Sequence, residues 1–132
     1  VQRCSLVIVG IGTDIVDIRR IQRSLARFGG RFTDKILCTS EHRSLTGSRL
    51  AAYLARQFSA KEAVSKALGT GMSRGVHFRN IEIARMESGA PLVRLTGEAK
   101  SRAEELGISD IHISLSDERD YAIAYVIASN GV

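Results

Sequence analysis

Three groups of residues in this chain have types and spacings suited to chemistry. The first is Gly10-Ile11-Gly12-Thr13-Asp14. Paired glycines after an apolar run let backbone come close to a phosphate, but a lone G-x-G lacks the rest of a dinucleotide-binding fingerprint. Asp14, at the end of that run, is either a rigidly held carboxylate or the N-cap of a following helix. The second group runs from Phe58-Ser59-Ala60-Lys61-Glu62 through Lys66 to Gly69-Thr70-Gly71. Glu62 and Lys66, four apart, share one face of a helix, where such a pair serves either as a surface ion pair or as a charged site. Ser59 with Glu62 also fits a capping box, which predicts that the helix restarts at Ser59. The small residues Ala60, Ala63 and Ala67 beside them point to close packing. A carboxylate, an ammonium and an exposed glycine backbone together suit a metal-bound, multiply charged phosphate. Mg²⁺ takes one or two protein carboxylates plus phosphate oxygens, and Asp14 with Glu62 would supply two.

The third group is His112-Ile113-Ser114-Leu115-Ser116. Strand alternation puts Ile111, Ile113 and Leu115 on one face and His112, Ser114 and Ser116 on the other. That polar face is either solvent-facing or part of a site, and without a third orienting group it makes no triad. His42 and His77 sit in loop-like surroundings. Cys4 and Cys38 have no activating pattern, no metal-ligand spacing and too small a number for a disulfide scaffold, which favours a reducing compartment.

These residues need elements to hold them. Ser5–Val9 reads as a buried strand ending at Gly10-Ile11-Gly12. Thr13 or Asp14 then caps a helix with apolar residues at Ile15, Ile18, Ile21, Leu25 and Phe28, stopped by Gly29-Gly30. Phe32 to Thr46 reads as a short helical or irregular connection. The longest helical stripe runs from about Ser48 to Leu68, closed by Gly69. Ile81–Arg85 and Leu92–Leu95 alternate as a hairpin, Thr96 opens a short helix ending at Gly107, and Ile111–Ser116 and Tyr121–Ala128 form a second strand pair. Helices come mainly early and strands late. The pattern predicts one α+β domain over residues 1–132, with antiparallel strands packed on one long and several short helices.

Of 132 residues, 44% are hydrophobic and one is proline, which excludes disorder and low complexity. No apolar run approaches the roughly 20 residues that span a bilayer. With no recognisable signal peptide, a cytoplasmic domain is expected. Net charge is +5, and it is concentrated. From Ile15 to Arg31, Arg19, Arg20, Arg23, Arg27 and Arg31 face Asp17 alone, a local balance of +4. Arg20, Arg23 and Arg27 recur at i, i+3 and i+7 and form a ridge. Such a ridge is a solvated face, a nucleic-acid-binding surface, or a dock for an acidic protein. The chain has four Phe, three Tyr and no Trp, so base stacking is thinly supplied.

The three blocks, in order and suitably spaced over about Val7 to Ala128, resemble the holo-(acyl-carrier-protein) synthases, the short class of 4′-phosphopantetheinyl transferases. The resemblance implies transfer of 4′-phosphopantetheine from coenzyme A to a serine of an apo acyl carrier protein, releasing adenosine 3′,5′-bisphosphate, in support of fatty acid biosynthesis. By position it implies Asp14 and Glu62 as ligands of Mg²⁺, with Mn²⁺ the alternative ion. It makes Lys66 the residue that neutralises the phosphates and assists transfer. It puts Gly69, Thr70, Gly71 and His112 at the coenzyme, and Arg20, Arg27 and Arg31 against the carrier. It also implies a homotrimer with sites between neighbours, and no nucleic-acid or membrane partner. Gln57 stands where an arginine is common, and Asp117 where some members carry histidine. The rival reading is a basic nucleic-acid-binding module using the Arg20, Arg23, Arg27 helix.

Overall fold

The first strand runs farther than the apolar pattern predicts. The structure is a computed structural model describing residues 6–131, so Cys4 and the first residue of the expected strand, Ser5, lie outside the described residues. Strand β1 covers Leu6–Asp17 and passes straight through Gly10, Gly12 and Asp14. It does so because all of it pairs antiparallel with the C-terminal strand, from Leu6 opposite Gly131 to Asp17 opposite Tyr121, with one register shift between Ile8 and Gly10. Neither Thr13 nor Asp14 is a helix cap, therefore. Thr13 Oγ1 donates to the Ala124 carbonyl at 3.0 Å, and the basic helix α1 (Ile18–Phe28) begins after Asp17, whose carboxylate accepts the Arg19 backbone N–H. Of the expected helical stripe, Ile18 and Ile21 are buried, whereas Ile15 belongs to the strand and is 64% exposed.

Gly29, at φ 56°, turns the chain after α1. Gly30 does not end the helical region but starts α2 (Gly30–Ile36). After a 3₁₀ turn at Thr39–Glu41 comes the long helix α3 (Gly47–Ala67). It is continuous through Ser59, so no second cap forms there. Ser59 Oγ donates instead to the Arg56 carbonyl one turn back. A 3₁₀ turn at Phe78–Asn80 leads to the hairpin β2 (Ile81–Arg85) and β3 (Pro91–Leu95). Helix α4 (Gly97–Glu105) and strands β4 (Asp110–Asp117) and β5 (Tyr121–Gly131) complete the chain. The main sheet has the order β1-β5-β4, all antiparallel. The expected α+β architecture is what the chain adopts.

Helix α3 lies across one face of that sheet. Ala60, Ala63, Val64, Ala67 and Leu68 pack there against Ala124, Val126 and Ala128, and a second cluster gathers Val16, Ile18, Ile21, Tyr53 and Leu54. The approach is unusually close at β1. A Cβ on Gly12 would lie 1.9 Å from the Ala63 carbonyl oxygen, and one on Gly10 would lie 2.0 Å from that of Ala67. The two glycines thus make room for a helix backbone rather than a phosphate. The opposite face of the sheet is uncovered and apolar. Ile11, Ile15, Tyr121, Ile123 and Tyr125 stand 42–64% exposed on it.

Candidate active site

The close seating of α3 on β1 brings three of the expected residues together. Gly10, Gly12, Asp14 and Val16 alternate toward α3, and Asp14 stands where the strand emerges from under the helix. Lys66 reaches over the free edge of β1. Its ammonium donates to the Thr13 carbonyl at 2.9 Å and to Asp14 Oδ1 at 3.1 Å. Two of its three N–H groups are then used, and with half its side chain exposed the third is open to a ligand. Glu62 lies one helical turn earlier on the same face. Burial and the negative charge of Asp14 push its carboxyl above the usual range, while Lys66 and Arg20 pull it back.

Asp14 holds the most informative atom. Its side chain is 16% exposed, and Oδ2 is the one buried side-chain oxygen or nitrogen without a hydrogen-bond partner among the described residues. Leaving such an acceptor unpaired is costly. Two neighbouring carboxylates, one with an orphaned oxygen, fit a hard divalent cation. Among the described residues no group of three His, Cys, Asp or Glu comes together. The protein thus offers two carboxylates, a set suited to an ion that keeps water and phosphate in its remaining positions.

The turn Gly69-Thr70-Gly71 follows α3 directly, but its N–H groups are not free. Those of Gly69, Thr70 and Gly71 donate to the carbonyls of Lys66, Ser65 and Ser65. They cap the C-terminal, electronegative end of the helix and are engaged within the chain. His112 is also apart from the three. It stands on β4, opposite Ile127, on the uncovered face of the sheet, and its Nε2 lies 3.1 Å from Ser129 Oγ.

Arg20 is closer to the site than its place in a ridge suggests. Its guanidinium lies 5.8 Å from the Phe58 ring centroid, and its charge acts on Glu62. Arg27 lies over Phe28, and Arg31 lines a groove of about 380 Å³ with Phe28, Phe32 and Lys35. A second cavity, of about 370 Å³, lies beside Lys66 and is walled by Ile11, Thr13 and Tyr125 from the uncovered face. Sequence reasoning missed the buried partner of Lys61. That residue is fully buried against Glu41, which lies in the segment expected to be irregular. An acidic residue in a connecting segment carries no local signal of burial.

The profile of the 4′-phosphopantetheinyl transferase superfamily matches residues 10–126. The holo-(acyl-carrier-protein) synthase of Halorhodospira halophila is 50% identical over 126 residues, covering 95% of this chain and all of the relative. The crystal structure of that synthase from Neisseria meningitidis is similar at a TM-score of 0.83 and 40% identity, covering 92% of this chain and 98% of the other. The Helicobacter pylori synthase in complex with coenzyme A is similar at a TM-score of 0.76 and 33% identity, covering 89% and 98%. Fold and comparisons agree on the class, the 4′-phosphopantetheinyl transferases. Within that class the chain belongs to the holo-(acyl-carrier-protein) synthase family.

Proposed function

We propose that this chain transfers the 4′-phosphopantetheine arm of coenzyme A to a serine of an apo acyl carrier protein, at a site formed by Asp14, Glu62 and Lys66. The observation that carries the site assignment is the buried, unpartnered Oδ2 of Asp14 beside Glu62, with the Lys66 ammonium alongside. Asp14 and Glu62 would hold Mg²⁺, or Mn²⁺ in its place. The bound ion would offset charge developing on the pyrophosphate. Lys66 donates its remaining N–H to the phosphates and keeps Asp14 oriented. The serine oxygen attacks the β-phosphorus, the bond to adenosine 3′,5′-bisphosphate breaks, and Glu62 takes the serine proton.

Arg20, Arg27 and Arg31 receive the acidic carrier, with Phe28 and Phe32 supplying apolar contact between the charges. The uncovered apolar face supports self-association as a homotrimer. A copy seated on that face would close the cavity beside Lys66, and His112 of each copy would then face a neighbour's site. The Gly69-Thr70-Gly71 turn meets the coenzyme through side chain and carbonyls rather than N–H groups. A cytoplasmic place and a role in fatty acid biosynthesis go with this reading.

The test is release of adenosine 3′,5′-bisphosphate from coenzyme A, followed chromatographically. Release should require Mg²⁺ or Mn²⁺ and an apo carrier, and should stop with EDTA or when the carrier serine is replaced by alanine. Release that ignores EDTA would overturn the metal assignment. Release without the serine would overturn the transfer.

A further inference from the structure

The Lys61–Glu41 ion pair is used by none of the steps above, yet it is fully buried and hydrogen-bonded on every side. Lys61 Nζ donates to Glu41 Oε1 and to the Ile36 carbonyl, both at 2.6 Å. The Glu41 carboxylate also accepts from the Cys38 N–H at 2.7 Å, and from Gln57 Nε2 and the Ile83 N–H at 2.8 Å. Tyr53 donates its hydroxyl to the Glu41 carbonyl at 2.6 Å. Glu41, through its carboxylate and its backbone carbonyl, thereby ties α3 at residues 53, 57 and 61 to the segment after α2 and to strand β2.

A buried ion pair is weak as a source of stability, because desolvation offsets most of its attraction, and its best-attested use is to specify one arrangement. Here the arrangement is the roll of α3. At about 100° per residue, Gln57 and Lys61 lie on one flank of the helix and Glu62 and Lys66 on the other. Ala63 and Ala67 face the glycines of β1 between the two flanks. The glycine slot sets how near α3 comes to the strand. Small alanines in a smooth slot do not fix rotation about the helix axis, whereas a charged pair with five further hydrogen bonds does. Gln57 is part of this device. Its neutral amide completes the Glu41 carboxylate without adding a second buried cation, which makes the cluster neutral overall.

We propose that Lys61 and Glu41 are positioning residues of the transfer site, holding the roll of α3 so that Glu62 meets Asp14 across the edge of β1. This rests on the function proposed above. Neither residue touches substrate.

The test compares parent, Lys61→Arg, Gln57→Leu and the double variant Lys61→Met/Glu41→Gln in transfer assays with apo carrier, coenzyme A and Mg²⁺. Removing both charges leaves no unpaired ion, so the double variant is the one expected to keep its fold, checked by circular dichroism. The account predicts that its kcat falls about tenfold or more, as misplacement of a reacting group does. The carrier KM stays within twofold, and the Mg²⁺ concentration for half-activity rises. Gln57→Leu shows the same pattern more weakly, and Lys61→Arg restores part of the kcat lost in the double variant. A folded double variant with kcat within twofold of the parent overturns the proposal. If the double variant does not fold, a folded Gln57→Leu protein with parental kcat and Mg²⁺ dependence overturns it equally. A parent that transfers nothing overturns the function itself, and this proposal with it.

Discussion

Replacing Gly12 by alanine tests whether the helix seat on β1 controls the site. The added Cβ would lie 1.9 Å from the Ala63 carbonyl oxygen, 2.9 Å from the Ala63 carbonyl carbon and 2.9 Å from the Ala67 nitrogen. All three neighbours are backbone, so no side chain can swing aside. Bringing the first contact to even 3.0 Å requires α3 to lift by about 1.1 Å. Ala63 is covalently next to Glu62, and Gly12 is two residues from Asp14 on the same strand face. The lift therefore separates the two carboxylates almost directly. A displacement of about 1 Å costs on the order of 10²-fold in rate. Overpacking costs about 1–3 kcal/mol, which at this chain length lowers Tm by about 4–12 °C. The assay is initial-rate transfer with apo carrier, coenzyme A and Mg²⁺ at a temperature where circular dichroism shows the variant folded. Gly30→Ala is the internal control, since a Cβ there meets nothing within 4 Å. A Gly12→Ala protein with parental rate and Tm would refute the claim that the G-x-G pair exists to seat the helix.

Three further outcomes follow from the same geometry. Asp14→Asn should lower transfer by about 10²-fold or more while leaving Tm unchanged or higher, because it removes a charge next to an unpaired buried oxygen; a large drop in Tm would contradict this. Asp17, held below the usual carboxylate range by the Arg19 guanidinium bonded to it, contributes stability above its unfolded-state pKa and loses it as pH falls through its lower folded value. Asp17→Ala should thus lower Tm at neutral pH, with the difference closing in melts below the carboxylate range, and a pH-independent difference would point to another cause. Arg27→Glu should raise the carrier KM roughly tenfold, about 1.4 kcal/mol of lost charge complementarity, with kcat unchanged and the effect weakening at high salt.

Much of the candidate site is legible because its residues are local in sequence and periodic. Glu62 and Lys66 share a helix face by spacing alone, and Ala60, Ala63 and Ala67 signal close packing. Asp14 was found as a carboxylate at a strand end, but whether it was also a cap depended on where β1 stopped. That is decided by pairing with β5, more than a hundred residues away, which no local pattern carries. The same distant pairing put Ile15 on the open face rather than in a helical stripe. In the sequence the glycine pair suggests a phosphate, because the helix that fills the space lies some fifty residues downstream. That the N–H groups of Gly69-Thr70-Gly71 are already engaged is hidden for a different reason: a C-terminal helix turn consumes its own N–H groups. Glu41 was invisible, since a single acidic residue in a connecting segment looks the same exposed or buried.

The most direct measurement is intact-mass spectrometry of an apo acyl carrier protein after incubation with coenzyme A, Mg²⁺ and either the parent chain or Glu62→Ala. The account predicts one added 4′-phosphopantetheine per carrier with the parent, and almost none with the variant at equal folded concentration. No added mass with several correctly folded carriers would contradict the account, and the Arg20, Arg23, Arg27 ridge would then be tested against nucleic acid.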